Sequence, residues 1–342
     1  MSYRSYCFRI SRSTQSSHGT QSSHDICCAT IHCAAEKGHV ACLAQHIARL
    51  PDGKVDVEGE YKLTPLHYAA KQGHKDALAL LLAHSANVNA ENTRKQTPLH
   101  LAASLDREDC LSLLLSYSAN VNAQMGDKFT ALHLAASSGR KESLALLLAH
   151  SADVNARSSD RSTALHYAIN SPECVSLLLA HSANVNARDN NRMTALHFAV
   201  KHPECVSRLL AHSANVNAEC SERCTPLHYA AMENKESLDL LLAHSAEVMA
   251  PDDYEKTALH YAAECGQPDC MASLLDRKSE VNLKDKEEQT PLYLASTRGH
   301  DGCVALLLDH GADRSSLRPP PPKKEERKYK LCPSIFTPVS QS

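Results

Sequence analysis

Fourteen cysteines and twenty-one histidines are the side chains of this 342-residue sequence best equipped for chemistry. Thiolates and imidazoles together hold zinc, and a thiolate beside an imidazole is a nucleophile. Either use needs a converging set, and spacing is the first test of convergence. Cys42, Cys110, Cys174, Cys205, Cys270 and Cys303 recur at one place, just ahead of an apolar Leu-rich run, where Ala77, Ser143 and Ser237 stand in other copies. A position that accepts Cys, Ala or Ser is a small-residue packing slot, and Cys there acts as a compact hydrophobe. His32, His67, His100, His133, His166, His197, His228 and His260 share a second place, and His84, His150, His181, His212, His244 and His310 a third, at the end of the Leu-rich run. There a cationic ring suits a helix dipole. Cys220-x3-Cys224 lies in one loop and Cys27-Cys28 precedes Cys33, but neither pair has partners at zinc-site spacing. No metal is expected.

Other chemistries have no footing either. The sequence contains no P-loop, no Gly-x-Ser-x-Gly elbow, no His-Glu-x-x-His and no Gly-rich dinucleotide turn. Eleven glycines in the whole chain leave little scope for backbone phosphate cradles. No catalytic residue, cofactor or enzymatic activity is expected.

The elements that carry these side chains repeat. Thr64, Thr97, Thr130, Thr163, Thr194, Thr225, Thr257 and Thr290 each open a Thr-[Pro/Ala]-Leu-[His/Tyr] step, 31 to 33 residues apart. A looser copy around Ile31–Ala35 makes a ninth unit. Within 64–96, Thr64 is placed to cap a helix whose first position, Pro65, needs no N–H. Leu66, Ala69 and Ala70 give that helix a thin apolar face, and Gly73-His74 ends it. Leu78, Leu81 and Leu82 then fall on one face of a second helix, and Ala86-Asn87-Val88-Asn89 leads out towards the next threonine. One such pair buries too little surface to offset its ordering entropy, so each must cover the next.

These residues resemble the ankyrin repeat over roughly 29–316. The resemblance implies an all-α solenoid of nine stacked helix-turn-helix units with β-hairpin fingers. It also implies that the step histidines tie neighbouring layers together, and that partners meet the finger tips and the concave face of the first helices. The array is flanked by a Ser-rich leader over 1–28 and a Pro-rich charged tail over 317–342, both expected to be disordered. Asn89, Asn122, Asn155, Asn186, Asn217 and Asn282 resemble the site that asparaginyl hydroxylase modifies in this family, and Met249 interrupts that series.

The departures from the family pattern are specific. The finger-tip glycine is replaced by Lys62, Lys95, Lys128, Arg161, Arg192, Arg223, Glu255 and Glu288 in turn. The glycine after the second helix is replaced by Ser85, Ser118, Ser151, Ser182, Ser213 and Ser245, and kept only as Gly311. Three repeats are shortened between their helices, at Asn170-Ser171-Pro172, Lys201-His202-Pro203 and Asn234-Lys235. The six basic tips, with Tyr61, Phe129, Met193 and Tyr254 as expected exposed anchors beside them, form the candidate partner-binding set.

A net charge of −3 excludes a sequence-blind nucleic-acid binder, and no apolar run is long enough to cross a bilayer. Thiols one layer apart cannot pair, so free cysteines and a reducing cytoplasmic or nuclear setting are expected. The reading is a monomeric protein-interaction scaffold for a partner with an acidic surface. The alternative is a regulatory or inhibitory subunit of an enzyme such as a protein phosphatase.

Overall fold

The computed structural model describes residues 28–51 and 53–317, so the leader, the proline run and the last residues lie outside it. Two compact units divide at Asp153 and Val154. The first holds α1 (Ile31–Lys37), α2 (Val40–Ala48), α3 (Pro65–Gln72), α4 (Lys75–Ala83), α5 (Pro98–Ser104), α6 (Glu108–Ser116), α7 (Ala131–Ser137) and α8 (Lys141–Ala149). The second holds α9 (Ala164–Tyr167), α10 (Pro172–Ala180), α11 (Ala195–Ala199), α12 (Pro203–Ala211), α13 (Pro226–Glu233), α14 (Lys235–Ala243), α15 (Ala258–Cys265), α16 (Pro268–Asp276), α17 (Pro291–Arg298) and α18 (Asp301–Asp309). Short 3₁₀ turns complete the path, one of them continuing α9 over Ala168–Asn170. In each unit, first helices stack on first helices and second helices on second helices.

Small side chains set the closeness of that stacking. Ala69, Ala70, Ala102, Ala103 and Ala135 are fully buried between first helices, and Leu78, Leu81, Leu111, Leu114, Leu144 and Leu147 fill the second layer. In the second unit the same register buries Leu178, Leu209, Leu241, Leu274 and Leu307. Cys110, Cys174, Cys205, Cys270 and Cys303 are buried free thiols in the slot assigned to them, and burial pushes Cys110, Cys205 and Cys270 up to about 11. They are inert packing groups at neutral pH.

Two of the three shortened turns follow shortened helices, while the helix before Asn234 keeps eight residues. α9 is only four residues and α11 only five. Pro172 opens α10 with Ser171 as its cap, the Ser171 hydroxyl accepting the Cys174 N–H at 3.3 Å. Asn234 does the same for α14, accepting the Ser237 N–H at 3.0 Å.

The fingers differ from expectation. No strand forms among the described residues. Each finger is one tight turn closed by backbone bonds within itself, such as Asn92 N–H to the Gln96 carbonyl at 3.0 Å with Lys95 N–H to the Asn92 carbonyl at 2.9 Å, or Asp252 N–H to the Lys256 carbonyl at 3.0 Å with Glu255 N–H to the Asp252 carbonyl at 3.1 Å. One further bond joins it to its neighbour: Thr93 N–H to Tyr61 O at 2.9 Å in the first unit, Ser221 N–H to Asn191 O at 2.8 Å in the second. One bond between neighbouring fingers is too little to build a ladder.

Candidate partner-docking edge

The finger tips are built from a side chain that closes the turn. Asn92 Oδ1 accepts the N–H groups of Arg94 and Gln96, each at 2.9 Å. Asp189 takes those of Asn191 and Met193, Asp252 those of Tyr254 and Lys256, and Asp285 those of Glu287 and Gln289, all at 2.8–2.9 Å. In these four fingers the carboxylate or amide holds the next-but-two residue left-handed without glycine, whereas Lys62 and Lys128 follow Gly59 and Met125 and reach the same conformation on backbone bonds alone. Lys62, Lys95, Lys128, Arg161, Arg192, Arg223, Glu255 and Glu288 all have φ between 57° and 65°. All eight are exposed. Left-handed backbone turns the side chains outward as a row of single charges, one per repeat within each unit.

Their charges are not equally available. Lys62 lies 3.9 Å from Glu58, Arg223 3.8 Å from Glu219, and Glu288 2.9 Å from Lys284. Lys95, Lys128, Arg161 and Arg192 form no ion pair among the described residues.

The expected anchors separate. Tyr61 is 71 % exposed, itself left-handed beside Lys62. Phe129 and Tyr254 are half-buried, Phe129 leaning on the His133 ring at 5.3 Å between centroids. Met193 is not an exposed anchor: it is 7 % exposed, because its main chain serves as a junction. Its N–H goes to Asp189 and its carbonyl accepts from His166, turning the side chain inward. Leu105, at 39 % exposure, is an apolar surface residue beyond the tips, and Lys71 and Gln72 at the end of the corresponding helix of the preceding repeat are exposed as well.

Two ladders keep the fingers in register. The step histidine accepts the threonine N–H on Nδ1, at 3.0–3.2 Å in seven repeats. Its Nε2–H is then free to donate to the next repeat: His67 to Gln96 O at 3.0 Å, His197 to Cys224 O at 3.3 Å, His228 to Lys256 O at 3.2 Å. These bonds require neutral rings in one tautomer. Burial agrees, holding His100, His166, His197 and His260 down at about 4 against nearby carbonyls that pull upward.

The second ladder runs through the loop asparagines. Asn89 Oδ1 accepts the Asn120 N–H at 2.8 Å and Asn122 that of Asp153 at 2.8 Å. In the second unit Asn155 serves Asn184, Asn186 serves Asn215, Asn217 serves Glu247 and Asn282 serves Asp313, all at 2.7–2.8 Å. Side-chain amides thus bond successive loops where the backbone does not.

A family profile described as ankyrin repeats (3 copies) matches residues 31–125, 118–189, 170–252 and 247–317. The chain belongs to the ankyrin-repeat family. No curated protein matches it. Ankyrin repeats are protein-interaction modules, and the helix pairs, caps and inter-layer histidines of this ankyrin protein are those that the resemblance implied. Among the described residues, none of its helices is long and apolar enough to cross a membrane.

Sequence reasoning missed three features of the ankyrin scaffold. The turn-closing role of Asn92, Asp189, Asp252 and Asp285 was readable from their constant place three residues before each tip. Cys220 occupies that same place and supplies a sulfur in place of a carboxylate. Cys28, His39 and Cys42 converge to within 4.8 Å in the first repeat. Their linear spacing matches no zinc motif, so only the fold brings them together.

Proposed function

We propose that this ankyrin protein is a non-enzymatic docking scaffold that grips an acidic protein partner along its finger edge. One observation carries this reading: Lys95 and Lys128 stand on hydrogen-bonded fingers, left-handed and exposed, with no ion pair among the described residues. Long cations anchored on a rigid left-handed turn lose less entropy on docking than cations on a mobile loop. Tyr61 adds an aromatic side chain at one end of this row, and Leu105 with Lys71 and Gln72 offers adjoining contact area. In the second unit Arg161 and Arg192 repeat the motif. Such a surface acts by reversible association and by electrostatic steering, which weakens as salt screens it.

The test uses the full chain carrying Lys95→Glu and Lys128→Glu. Glu255 and Glu288 already occupy the same tip conformation, so the fold tolerates glutamate there. Proteins captured by the wild-type chain at low salt should be lost from the double variant and released by raised salt. If both chains capture the same proteins with the same salt response, the finger edge is not the docking surface.

A further inference from the structure

The first repeat carries an unusual end. In later repeats the residue before the second helix reaches back to the preceding layer: His74 Nε2 to Glu36 O at 3.0 Å, Arg107 Nε to Lys71 O at 3.2 Å, Gln267 to Met232 O at 3.0 Å, His300 to Glu264 O at 3.1 Å. The small-residue slot three positions on is sealed by that same layer, with Ala77 and Cys110 wholly buried. Among the described residues no layer precedes α1 and α2. The corresponding residues there are His39 and Cys42, and both remain open to solvent, His39 exposed and Cys42 half-buried. Cys28 comes in from the preceding segment to join them, its Sγ 3.5 Å from His39 Nδ1. The Cys28 carbonyl is held at 3.1 Å by Nε2 of His46, one turn further along α2.

We propose that Cys28, His39 and Cys42 form a zinc-binding site on the open face of the first repeat. Two thiolates and one imidazole are a donor set suited to zinc, whereas carboxylate-poor sites of this kind disfavour magnesium or calcium. Bonds of about 2.3 Å to sulfur and about 2.0 Å to nitrogen place tetrahedral ligand atoms roughly 3.5–3.8 Å apart. The 3.5 Å between Cys28 and His39 already has that value. The whole group lies within 4.8 Å, so bringing in Cys42 takes a side-chain adjustment of about 1 Å. On binding, each thiol gives its proton to solvent and forms a bond to the metal. His39 donates its Nδ1 lone pair, the ring proton sitting on Nε2. The fourth position is open to water or a further ligand. The ion ties Cys28 to α2 on the open face of the first repeat.

Cobalt(II) is the probe, because tetrahedral thiolate ligation gives it visible ligand-field and sulfur-to-cobalt charge-transfer absorption. The full chain, reduced and stripped with chelator, should bind one cobalt per chain with those bands and lose them when zinc is added. Cys42→Ala should fold, since Ala77 fills the same slot in the next repeat, and should weaken binding at least about tenfold. Cys28→Ser and His39→Asn should do the same, and Cys110→Ala should leave binding unchanged. Zinc should also slow amide exchange over residues 31–48 in the wild-type chain and not in Cys42→Ala. Binding that is no tighter in the wild type than in Cys42→Ala would overturn the site, as would equal loss in Cys110→Ala.

Discussion

Met249 Sδ stands 3.4 Å from the backbone nitrogen of Glu280, at the rung where the other loop-to-loop contacts among the described residues are to an oxygen at 2.7–3.0 Å. A thioether is a weak acceptor, so the rung between these two repeats is the weakest of the ladder in the second unit. The same methionine interrupts the Val-Asn-Ala series in the sequence, and the structure shows what the interruption removes.

Restoring the rung should stabilise the chain. Met249→Asn is expected to gain about 0.5–1.5 kcal/mol, the net value of one hydrogen bond, with the lower end favoured at an exposed loop. Urea unfolding reads it: the midpoint should rise with an unchanged slope. A midpoint at or below the wild-type value would mean that the asparagine ladder marks loop register without adding stability.

The serines that follow the second helices remain left-handed. Ser85, Ser118 and Ser151 have φ of 61–65°, and Ser182, Ser213 and Ser245 of 63–65°. Serine neither relaxes the cap nor gains a glycine's freedom there, so each site carries a penalty of about 1–2 kcal/mol. Ser→Gly at any one of them should recover about 0.5–1 kcal/mol after glycine's own entropy loss. Thermal melts of Ser118→Gly and Ser213→Gly should move upward, and the same substitution at exposed Ser221, which lies outside these caps, should not.

Much of this was legible in the sequence because local and global rules agree in each repeat. The Thr-Pro-Leu-His step specifies a cap, a helix start, a core leucine and an inter-layer donor in four residues, and all four roles appear at 64–67. What was not legible depends on which neighbour is present. Cys42 was read as a packing cysteine because its counterparts are, yet among the described residues no layer covers it as its counterparts are covered. Met193 was read as exposed by its place beside a tip, but two backbone bonds rotate it inward. The fingers were expected to pair as hairpins, and each instead closes within itself as a tight turn with one backbone bond to the next finger.

Acid should unfold this chain well above the carboxylate range. The step histidines are held near 4 at His100, His166, His197 and His260 by burial, against 6.5 when unfolded. The unfolded chain therefore binds more protons between these values. Their contribution is fully present above pH 6.5 and is lost as pH falls towards 4. Each buried histidine contributes up to about 1.4 kcal/mol per pH unit across that window. Stability from urea midpoints should fall steeply between pH 6.5 and 4.5, and His197→Gln should flatten that slope. A stability flat down to pH 4.5 would rule out the neutral, carbonyl-bonded rings.

Cys220 should be the thiol that ionises first. It stands where Asp189, Asp252 and Asp285 close the other fingers of its unit, with Cys220 N–H bonded to the Cys224 carbonyl at 2.9 Å. Hydrogen bonding with the Cys224 side chain, with the N–H groups of Glu222 and Cys224 and the Tyr229 hydroxyl beside it, draws Cys220 below the usual thiol range despite its burial. A thiolate there does for the turn what the aspartate does elsewhere: it accepts the inward-pointing N–H groups. Cys110, Cys205 and Cys270 have no such donors and are pushed up instead. A thiolate absorbance titration should therefore show one early step that vanishes in Cys220→Ser and survives in Cys110→Ala. Cys220→Asp should keep the fold, because it installs the residue used by the neighbouring fingers, and should remove the same step. An early step that persists in both Cys220 variants would place the reactive thiol elsewhere and leave this turn held by a neutral sulfur.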